Sequence, residues 1–215
     1  MLLSPSASPE KIKWMARHAP SATGAALDLG CGAGIYSQTL KKQGWAVAAI
    51  DQVPPVSAQA IGFLQHDLEK GLPFPDHQFD LVLAWDVLEH LDNETAMWTA
   101  IQRVLRPGGV LLGSVPHGDD DRLAPYNLAF KHHIDRTHRR TYLPANLKER
   151  LLSHDMEIMA MELKGPVSPQ VLAEFIPWPV LRMPIRKIIG LARRLGLLAF
   201  QELYADIFWA ARKRV

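Results

Sequence analysis

The stretch that most constrains this chain is LDLGCGAG, residues 27–34, in which an apolar run is followed by three glycines at alternate positions. Residues 25–29 predict a buried parallel strand whose one charged member, Asp28, needs a partner there. The amphipathic run 35–43 predicts a helix that ends at Gly44. Such a strand, glycine turn and helix let a ligand approach bare backbone, with free N–H groups at the helix start.

Two common nucleotide-binding motifs do not fit this stretch. The dinucleotide fingerprint requires a third glycine where the chain has Ile35, and no Gly-Lys-Ser/Thr sequence follows to complete a P-loop. Asp51 ends the apolar run 45–50 and lies 21 residues after Gly30, a spacing at which an acid accepts hydrogen bonds from ribose hydroxyls. Two simpler interpretations stay open: glycines needed only for packing, and an aspartate at a strand end that meets only solvent.

Two later segments combine an apolar strand with a turn. FDLVLAWDVLEHL, residues 79–91, has Asp86, Glu89 and His90 after its strand, and RVLRPGGVLL, residues 103–112, stops a helix and opens a fifth strand. For the two acids, a cleft role and a helix N-terminus favoured by the dipole are equally good interpretations. With LDLGCGAG, these segments resemble, in the same order, the motifs of class I S-adenosylmethionine-dependent methyltransferases of the type-11 domain family.

The resemblance implies an α/β fold, a Rossmann-like seven-stranded and mostly parallel sheet with helices on both faces. The last strand would run antiparallel beside the fifth, and a helical cap insertion would precede it. We expect a single methyltransferase domain over 1–215. Its core is expected at about 21–163 and 201–213, with cap elements at 1–20, 117–141 and 165–200.

The resemblance also implies that S-adenosyl-L-methionine is the cofactor and S-adenosyl-L-homocysteine the product. The glycine turn and Asp28 would hold the methionine end, Asp51 the ribose, and Asp67 and Leu68 the adenine. Cys31 is interpreted as a small packing residue without a redox or metal role. The expected cofactor-binding residues are Asp28, Gly30, Cys31, Gly32, Gly34, Asp51, Gln52, Asp67, Leu68, Ala84 and Trp85.

Residues 117–140 form a polar segment with four histidines. A base is needed only if the methyl acceptor is a hydroxyl or a carbon acid, and histidine suits that role near neutral pH. The candidate catalytic residues are His138, His133 and His117, in that order. We predict no metal site, because His132 and His133 are adjacent and no acid completes a known ligand spacing.

Composition and charge disfavour several other classes of protein. A net charge of +2 is too small to indicate nucleic acid, and no basic patch interleaved with aromatic residues suggests RNA. The single cysteine suits a reducing compartment, the proline-broken N-terminus does not fit a signal peptide, and no uncharged apolar run reaches transmembrane length. We expect a cytoplasmic monomer or homodimer whose partner is a small-molecule substrate.

The function predicted from these observations is in-line methyl transfer, without a metal, to a small, hydrophobic or lipid-like metabolite. An apolar cap segment with a cationic fringe favours that substrate class. Two alternatives come from other classes. A nicotinamide-dependent oxidoreductase is disfavoured by the missing third glycine and by Asp28 inside the strand. A non-catalytic module on the cofactor fold is disfavoured by the intact glycine turn together with Asp51.

The segment 179–200 has an apolar stripe at helical spacing and a basic fringe. Three interpretations are open: a cap helix packed on the domain, a lid over the substrate pocket, and a helix that docks on an anionic membrane. Prolines at 177, 179 and 184 favour a separate, hinged element. We expect a cap that also serves as a lid, with weak membrane-surface contact through 180–200 as an additional role.

Overall fold

A computed structural model describes residues 7–56, 58–118, 137–167, 178–195 and 203–215 of the chain. The predicted strand, glycine turn and helix at the N-terminal side of the domain are all present. The helices are α1 (Pro9–His18), α2 (Ile35–Lys42), α3 (Ala58–Ile61), α4 (Glu94–Val104), α5 (Pro144–Ser153) and α6 (Pro179–Arg194). The strands are β1 (Ala25–Leu29), β2 (Ala46–Asp51), β3 (Phe63–Gln65), β4 (Phe79–Trp85), β5 (Leu105–Pro116), β6 (Met156–Val167) and β7 (Leu203–Lys213).

The seven strands form one sheet in the order β3-β2-β1-β4-β5-β7-β6. Strands β1 to β5 pair in parallel, while β7 runs antiparallel between β5 and β6. The predicted α/β fold with an antiparallel last strand beside the fifth is therefore confirmed. The direction of strand succession reverses between β1 and β4, and a ligand crevice is expected at the carboxyl ends of the strands there.

Central strands are apolar on both faces, as parallel strands between helical layers must be. In β4, Val82 and Ala84 pack with one core cluster, while Leu81 and Leu83 pack with another on the opposite face. Gly113 of β5 leaves room for the indole of Trp209 on β7, because a Cβ there would overlap that ring. This close approach fits the antiparallel strand between β5 and β6.

From the sequence we expect a first helix that begins at Ser8-Pro9, a third strand over 61–66 and a helix that runs from an Asp92 cap to Leu105, and the last two differ in the structure. The third strand, expected over 61–66, covers only Phe63–Gln65, and Ile61 ends the short helix α3. Asn93, and not Asp92, caps α4, because its Oδ1 accepts a hydrogen bond from the N–H of Ala96 at 3.2 Å.

The expected cap elements are described only in part. Helix α1 begins as predicted at an N-cap, Ser8, and α6 lies within the expected insertion 165–200. The stretch 119–136, which makes up most of the expected cap element 117–141, lies outside the described residues. Within the described ranges, no helix is both long and apolar enough to cross a bilayer.

Candidate active site

Two adjoining cavities lie at the carboxyl ends of β1, β2 and β4. One, of about 330 Å³, is lined by residues that include Asp51, Gln52 and Leu68. The other, of about 260 Å³, is lined by the glycine turn, Asp28, Tyr36, Trp85 and Lys11. Gly30 and Asp86 line both cavities, so the two meet at these residues. This is the sheet edge where the reversal of strand order predicts a ligand.

The glycine turn supplies backbone that other residues would block. Gly30, Gly32 and Gly34 have φ angles of +59°, +49° and +73°, in the left-handed region that favours glycine. A Cβ on Gly30 would lie 2.6 Å from Val87 Cγ2, whereas one on Gly32 would meet nothing within 4 Å and would project into open space. Gly34 is the N-cap of α2. The turn therefore needs its glycines for conformation and leaves an open approach at Gly32.

Asp28 has the partner that a buried carboxylate needs. Its side chain is 1% exposed, and the hydroxyl of Ser37 on α2 donates a hydrogen bond to its Oδ2 at 2.5 Å. Burial raises the pKa of Asp28 to about 6, against the opposing effect of the Ser37 hydrogen bond. The contact joins the end of β1 to α2 and holds a carboxyl group in the wall of the second cavity.

Asp51 ends β2 and faces back to the glycine turn. Its Oδ2 accepts a hydrogen bond from Gly32 N–H at 2.9 Å, and its Oδ1 accepts one from Val53 N–H at 3.1 Å. It also lines the first cavity. The side chain therefore does more than meet solvent at a strand end, which was the simpler interpretation of the sequence.

The other expected cofactor residues fall into two groups. Gln52 and Leu68 line the first cavity, and Cys31 and Trp85 line the second. Asp67 caps a 3₁₀ turn and accepts a hydrogen bond from Gln52 Nε2 at 3.1 Å. Ala84, in contrast, is fully buried within β4.

The surroundings of Cys31 are those of a small packing residue, which is how the sequence was interpreted. The side chain is buried in a small cluster with Ala49 and Ile61. Burial, followed by the nearby carboxylates of Asp28 and Asp51, raises the pKa of the thiol to about 12. The thiolate that redox or metal chemistry requires is therefore disfavoured.

A polar network lies where the two cavities meet. Asp86 has a left-handed φ of +52° and carries its carboxylate between Lys11 of α1, at 2.5 Å, and the hydroxyl of Ser114 on β5. Lys11 Nζ also lies 5.5 Å from the ring centroid of Trp85. Asp86 therefore lies in a strained turn after β4. It does not begin a helix, which was one of the two interpretations of the sequence.

Glu89, His90 and His138 form a cluster beside this network. Their potential ligand atoms all lie within 4.8 Å of one another, and the rings of His90 and His138 pack edge to face at 4.6 Å between centroids. Glu89 is 0% exposed, and neither carboxyl oxygen has a hydrogen-bond partner among the described residues. Burial, and then the charge of Asp86, raises the pKa of Glu89 to about 8. The carboxyl group is therefore mainly protonated at neutral pH.

The segment that carries His138 is fixed to the turn that carries His90. The hydroxyl of Thr137 lies 2.9 Å from His90 Nδ1, and Arg139 N–H donates to the carbonyl of Glu89 at 2.7 Å. Arg140 donates to the carbonyls of Leu88 and Asp92 at 3.2 and 3.1 Å. These contacts bring together two stretches that are far apart in the sequence.

The three predicted histidines have different positions. His138 joins the cluster at the cavity, while His117 is buried and its Nδ1 lies 3.2 Å from the carbonyl of Tyr204. His133 lies outside the described residues.

Among the residues that sequence reasoning did not assign to this region are His90, Lys11 and Asp206. His90 lines the first cavity, Lys11 lines the second, and Asp206 on β7 has a pKa raised to about 6, first by burial and then by Asp86. For His90, the signal was present in the Glu-His pair of FDLVLAWDVLEHL. Lys11 and Asp206 stand in separate terminal segments, and neither carries a local motif.

Comparisons with known proteins find methyltransferases. Residues 27–113 match the type-11 family model described as "Methyltransferase domain". A ubiquinone biosynthesis O-methyltransferase from Paraburkholderia phytofirmans is 31% identical over 116 residues, 47% of this chain and 48% of that protein. One from Xylella fastidiosa is 30% identical over 123 residues, 50% of this chain and 48% of its own. The chain thus spans about half the length of the curated relatives it matches.

Solved structures share the fold at low identity. An S-adenosylmethionine-dependent methyltransferase from Archaeoglobus fulgidus superposes with a TM-score of 0.66 at 17% identity, over 95% of this chain and 92% of that one. The 1,6-didemethyltoxoflavin-N1-methyltransferase of Burkholderia thailandensis, solved with bound 1,6-didemethyltoxoflavin and S-adenosylhomocysteine, has a TM-score of 0.62 at 19% identity, over 96% of this chain and 77% of that one. Residues 27–113 of this chain therefore resemble a type-11 methyltransferase domain, and the chain shares the fold of the solved methyltransferases.

Proposed function

We propose that this protein is a methyltransferase that transfers a methyl group from S-adenosylmethionine to an oxygen atom of a small, hydrophobic or lipid-like acceptor. The transfer is in line and needs no metal. The observation that carries this proposal is the junction of the two cavities at Gly30 and Asp86, with His90 in the wall and His138 against it. The O-methyltransferase names of the relatives support oxygen as the acceptor atom.

The charges of the site fit a cationic cofactor. Asp28, Asp51 and Asp86 place carboxyl groups along the two cavities, and the open space at Gly32 admits a ligand against the backbone. When bound, S-adenosylmethionine supplies a methyl group on a positively charged sulfonium. In this proposal the second cavity receives the methionine end, and Asp51 accepts hydrogen bonds from the ribose in the first.

Orientation and the exclusion of water are the main tasks of the protein in such a transfer. The ion pair between Lys11 and Asp86 ties α1 to the cavity junction, and Trp85 packs against Tyr36 at 5.9 Å between ring centroids. His138 serves as the base that takes the proton of an acceptor hydroxyl. The edge-to-face contact with His90 and the backbone contact of Arg139 hold its position.

Replacing Asp51 by alanine should weaken the binding of S-adenosylhomocysteine. The expected loss is about 1.5–3 kcal/mol, the usual value for hydrogen bonds to a charged group. Isothermal titration calorimetry measures it. Asp76→Ala is the matched control, because that aspartate is exposed and pairs with Arg103 away from the two cavities. Equal affinities of Asp51→Ala and the wild type would remove Asp51 from the cofactor site.

The His138→Ala substitution should lower kcat by about 10²-fold or more if the acceptor is a hydroxyl, since that is the range of general-base catalysis. Initial rates would be measured with a panel of hydrophobic hydroxyl compounds at saturating cofactor. His154→Ala is the control, because this histidine follows α5 as its C-cap and its Nδ1 lies 2.8 Å from the carbonyl of Arg150 in that helix. Full kcat in His138→Ala would transfer the role of base to His133 or His117.

A chelator should leave turnover unchanged, because neither the sulfonium donor nor a histidine base requires an ion. The cluster of Glu89, His90 and His138 makes the test informative, since its atoms are close enough together to hold a cation. Rates would be compared before and after EDTA treatment. Activity that is lost with EDTA and restored by one divalent metal would contradict the metal-free proposal and assign the ion to this cluster.

A further inference from the structure

Helix α6 lies between β6 and β7 in the sequence, and it has two different apolar faces. Ile185, Ile189 and Ala192 follow helical spacing and are half-buried, as expected of the face turned to the domain. A second set of apolar side chains in and just after the helix is exposed to solvent. These include Val180 (81% exposed), Leu181 (43%), Ile188 (65%), Leu191 (58%) and Leu195 (62%), which form the exposed set; Met183 (62%) is exposed as well but lies apart from them around the helix.

The exposed set forms one stripe. At 3.6 residues per turn, Val180, Leu191, Pro184, Ile188 and Leu181 follow one another around an arc of about 100°. This arc lies beside the half-buried face and is wide enough to lie along an apolar surface. Pro184 falls within the same stripe and keeps it free of charge.

The charged residues of the helix itself are all of one sign. Residues 178–195 contain five arginines and lysines and no acidic residue. Lys187 and Arg194 are exposed and lie along the edge of the stripe on the side of Val180. Trp178 is 63% exposed immediately before the helix. Tryptophan next to a cationic amphipathic helix is typical of the boundary between lipid headgroups and acyl chains.

We propose that this face of α6, defined by Val180, Leu181, Ile188 and Leu191 with Lys187 and Arg194 at its edge, docks on the surface of an anionic phospholipid bilayer. The apolar stripe would enter the boundary between headgroups and acyl chains, and the cations would attract anionic lipid. A second copy of this chain fits the face less well. Two-fold pairing would set the same cationic segment against itself, which is unfavourable.

The docking goes beyond the proposed methyl transfer and does not depend on it. It concerns where the protein resides when it acts, and it holds for any acceptor. A lipid-like acceptor would then be taken from the same bilayer.

Vesicle co-sedimentation tests the docking with the purified full chain. Phosphatidylcholine vesicles with and without phosphatidylglycerol are compared at low and high NaCl. We expect binding to the anionic vesicles at low salt and a fall of about tenfold or more at high salt, because surface electrostatic attraction is screened. Hydrogen exchange on the vesicles should protect 179–194.

Two double variants separate the apolar and the charged contributions. Ile188→Asp with Leu191→Asp should abolish binding at any salt concentration, and Lys187→Glu with Arg194→Glu should abolish its preference for anionic lipid. The matched controls are Leu152→Asp and Lys148→Glu on α5, where both side chains are also exposed. These controls should bind as the wild type does. Unchanged affinity for S-adenosylhomocysteine in every variant shows that the fold and the cofactor site are intact.

Three results would overturn the docking proposal. The first is no sedimentation of the wild type with anionic vesicles, and the second is equal sedimentation of wild type and both double variants. The third is a dimer in sedimentation velocity that Ile188→Asp dissociates while lipid binding is absent, because a second copy would then cover the face. None of these results bears on cofactor binding or turnover, so a failure here is distinguishable from a failure of the proposed methyl transfer.

Discussion

Gly32→Val abolishes the binding of S-adenosylhomocysteine and leaves the fold intact. This is the expected result because a Cβ at Gly32 meets nothing within 4 Å and the added side chain would fill the space that the ligand needs. The N–H of Gly32 also donates to Asp51, so displacement of the turn would disturb the expected ribose site as well. Calorimetry with S-adenosylhomocysteine measures the loss, and thermal unfolding shows that the domain still folds.

A matched variant separates ligand exclusion from backbone strain. Gly108 also has a positive φ, +77°, and a Cβ there also meets nothing within 4 Å. It lies near the start of β5, at the end of the sheet opposite the cavities. Both substitutions should cost about 1–2 kcal/mol of stability from the left-handed conformation. Gly108→Val should bind normally. Loss of binding in both variants, or retained binding in Gly32→Val, would contradict the assignment of the turn.

The parts of the site that could be predicted are those in which neighbouring residues decide the structure. The order of strand, glycine turn and helix over 25–43 needs only an apolar run, three glycines and an amphipathic period. The place of Asp51 at the end of β2 follows from the length of one βαβ step, and its carboxylate accepts a hydrogen bond from the N–H of Gly32. The antiparallel position of β7, in contrast, was predicted from the family resemblance and not from the periodicity of its own residues.

The parts that could not be predicted depend on contacts between distant stretches. His90 and His138 meet because Arg140 reaches the carbonyls of Leu88 and Asp92, and no local pattern in either stretch encodes that contact. The same holds for the start of α4. Asn93 caps that helix, and the carboxylate of Glu69 accepts the N–H groups of Asp92 and Asn93, at 2.6 and 3.2 Å. Pairings of this kind become visible only when the sheet is assembled.

Glu89→Gln should stabilise the protein at pH 8 and leave its stability unchanged near pH 4. Burial raises the pKa of Glu89 to about 8 in the folded protein, while the unfolded chain titrates near 4.5. As the pH rises between these values, the unfolded chain loses this proton and the folded protein keeps it, so the free energy of unfolding falls. Glutamine does not titrate and avoids this fall. The gain at pH 8 should be about 3–5 kcal/mol, from 1.36 kcal/mol per pKa unit.

Urea unfolding of wild type and variant across this pH range measures the effect. Asp28 and Asp206, whose pKa values are also raised, titrate in both proteins and largely cancel in the difference. Glu94→Gln is the matched control, and we expect it to change the free energy of unfolding in the opposite direction. Glu94 is also buried, at 6% exposed, but accepts hydrogen bonds from Arg150 at 2.8 Å and Trp98 at 2.7 Å. Loss of its charge should lower stability by about 1–3 kcal/mol.

The dependence on pH decides what Glu89 does in the cluster. A difference in stability that grows from pH 4.5 to 8 means that the carboxyl group stays protonated in the folded protein, beside His90 and His138 without an ion. A flat difference would contradict this and would mean that Glu89 is ionised and compensated, as a bound cation would require. If the difference is flat, the unfolding experiment is repeated with EDTA. A pH dependence that returns with EDTA would show that a bound cation had compensated the charge of Glu89, and a difference that stays flat would show that no cation does so. The same carboxyl group thus connects the stability of the fold to the metal-free transfer proposed for the site.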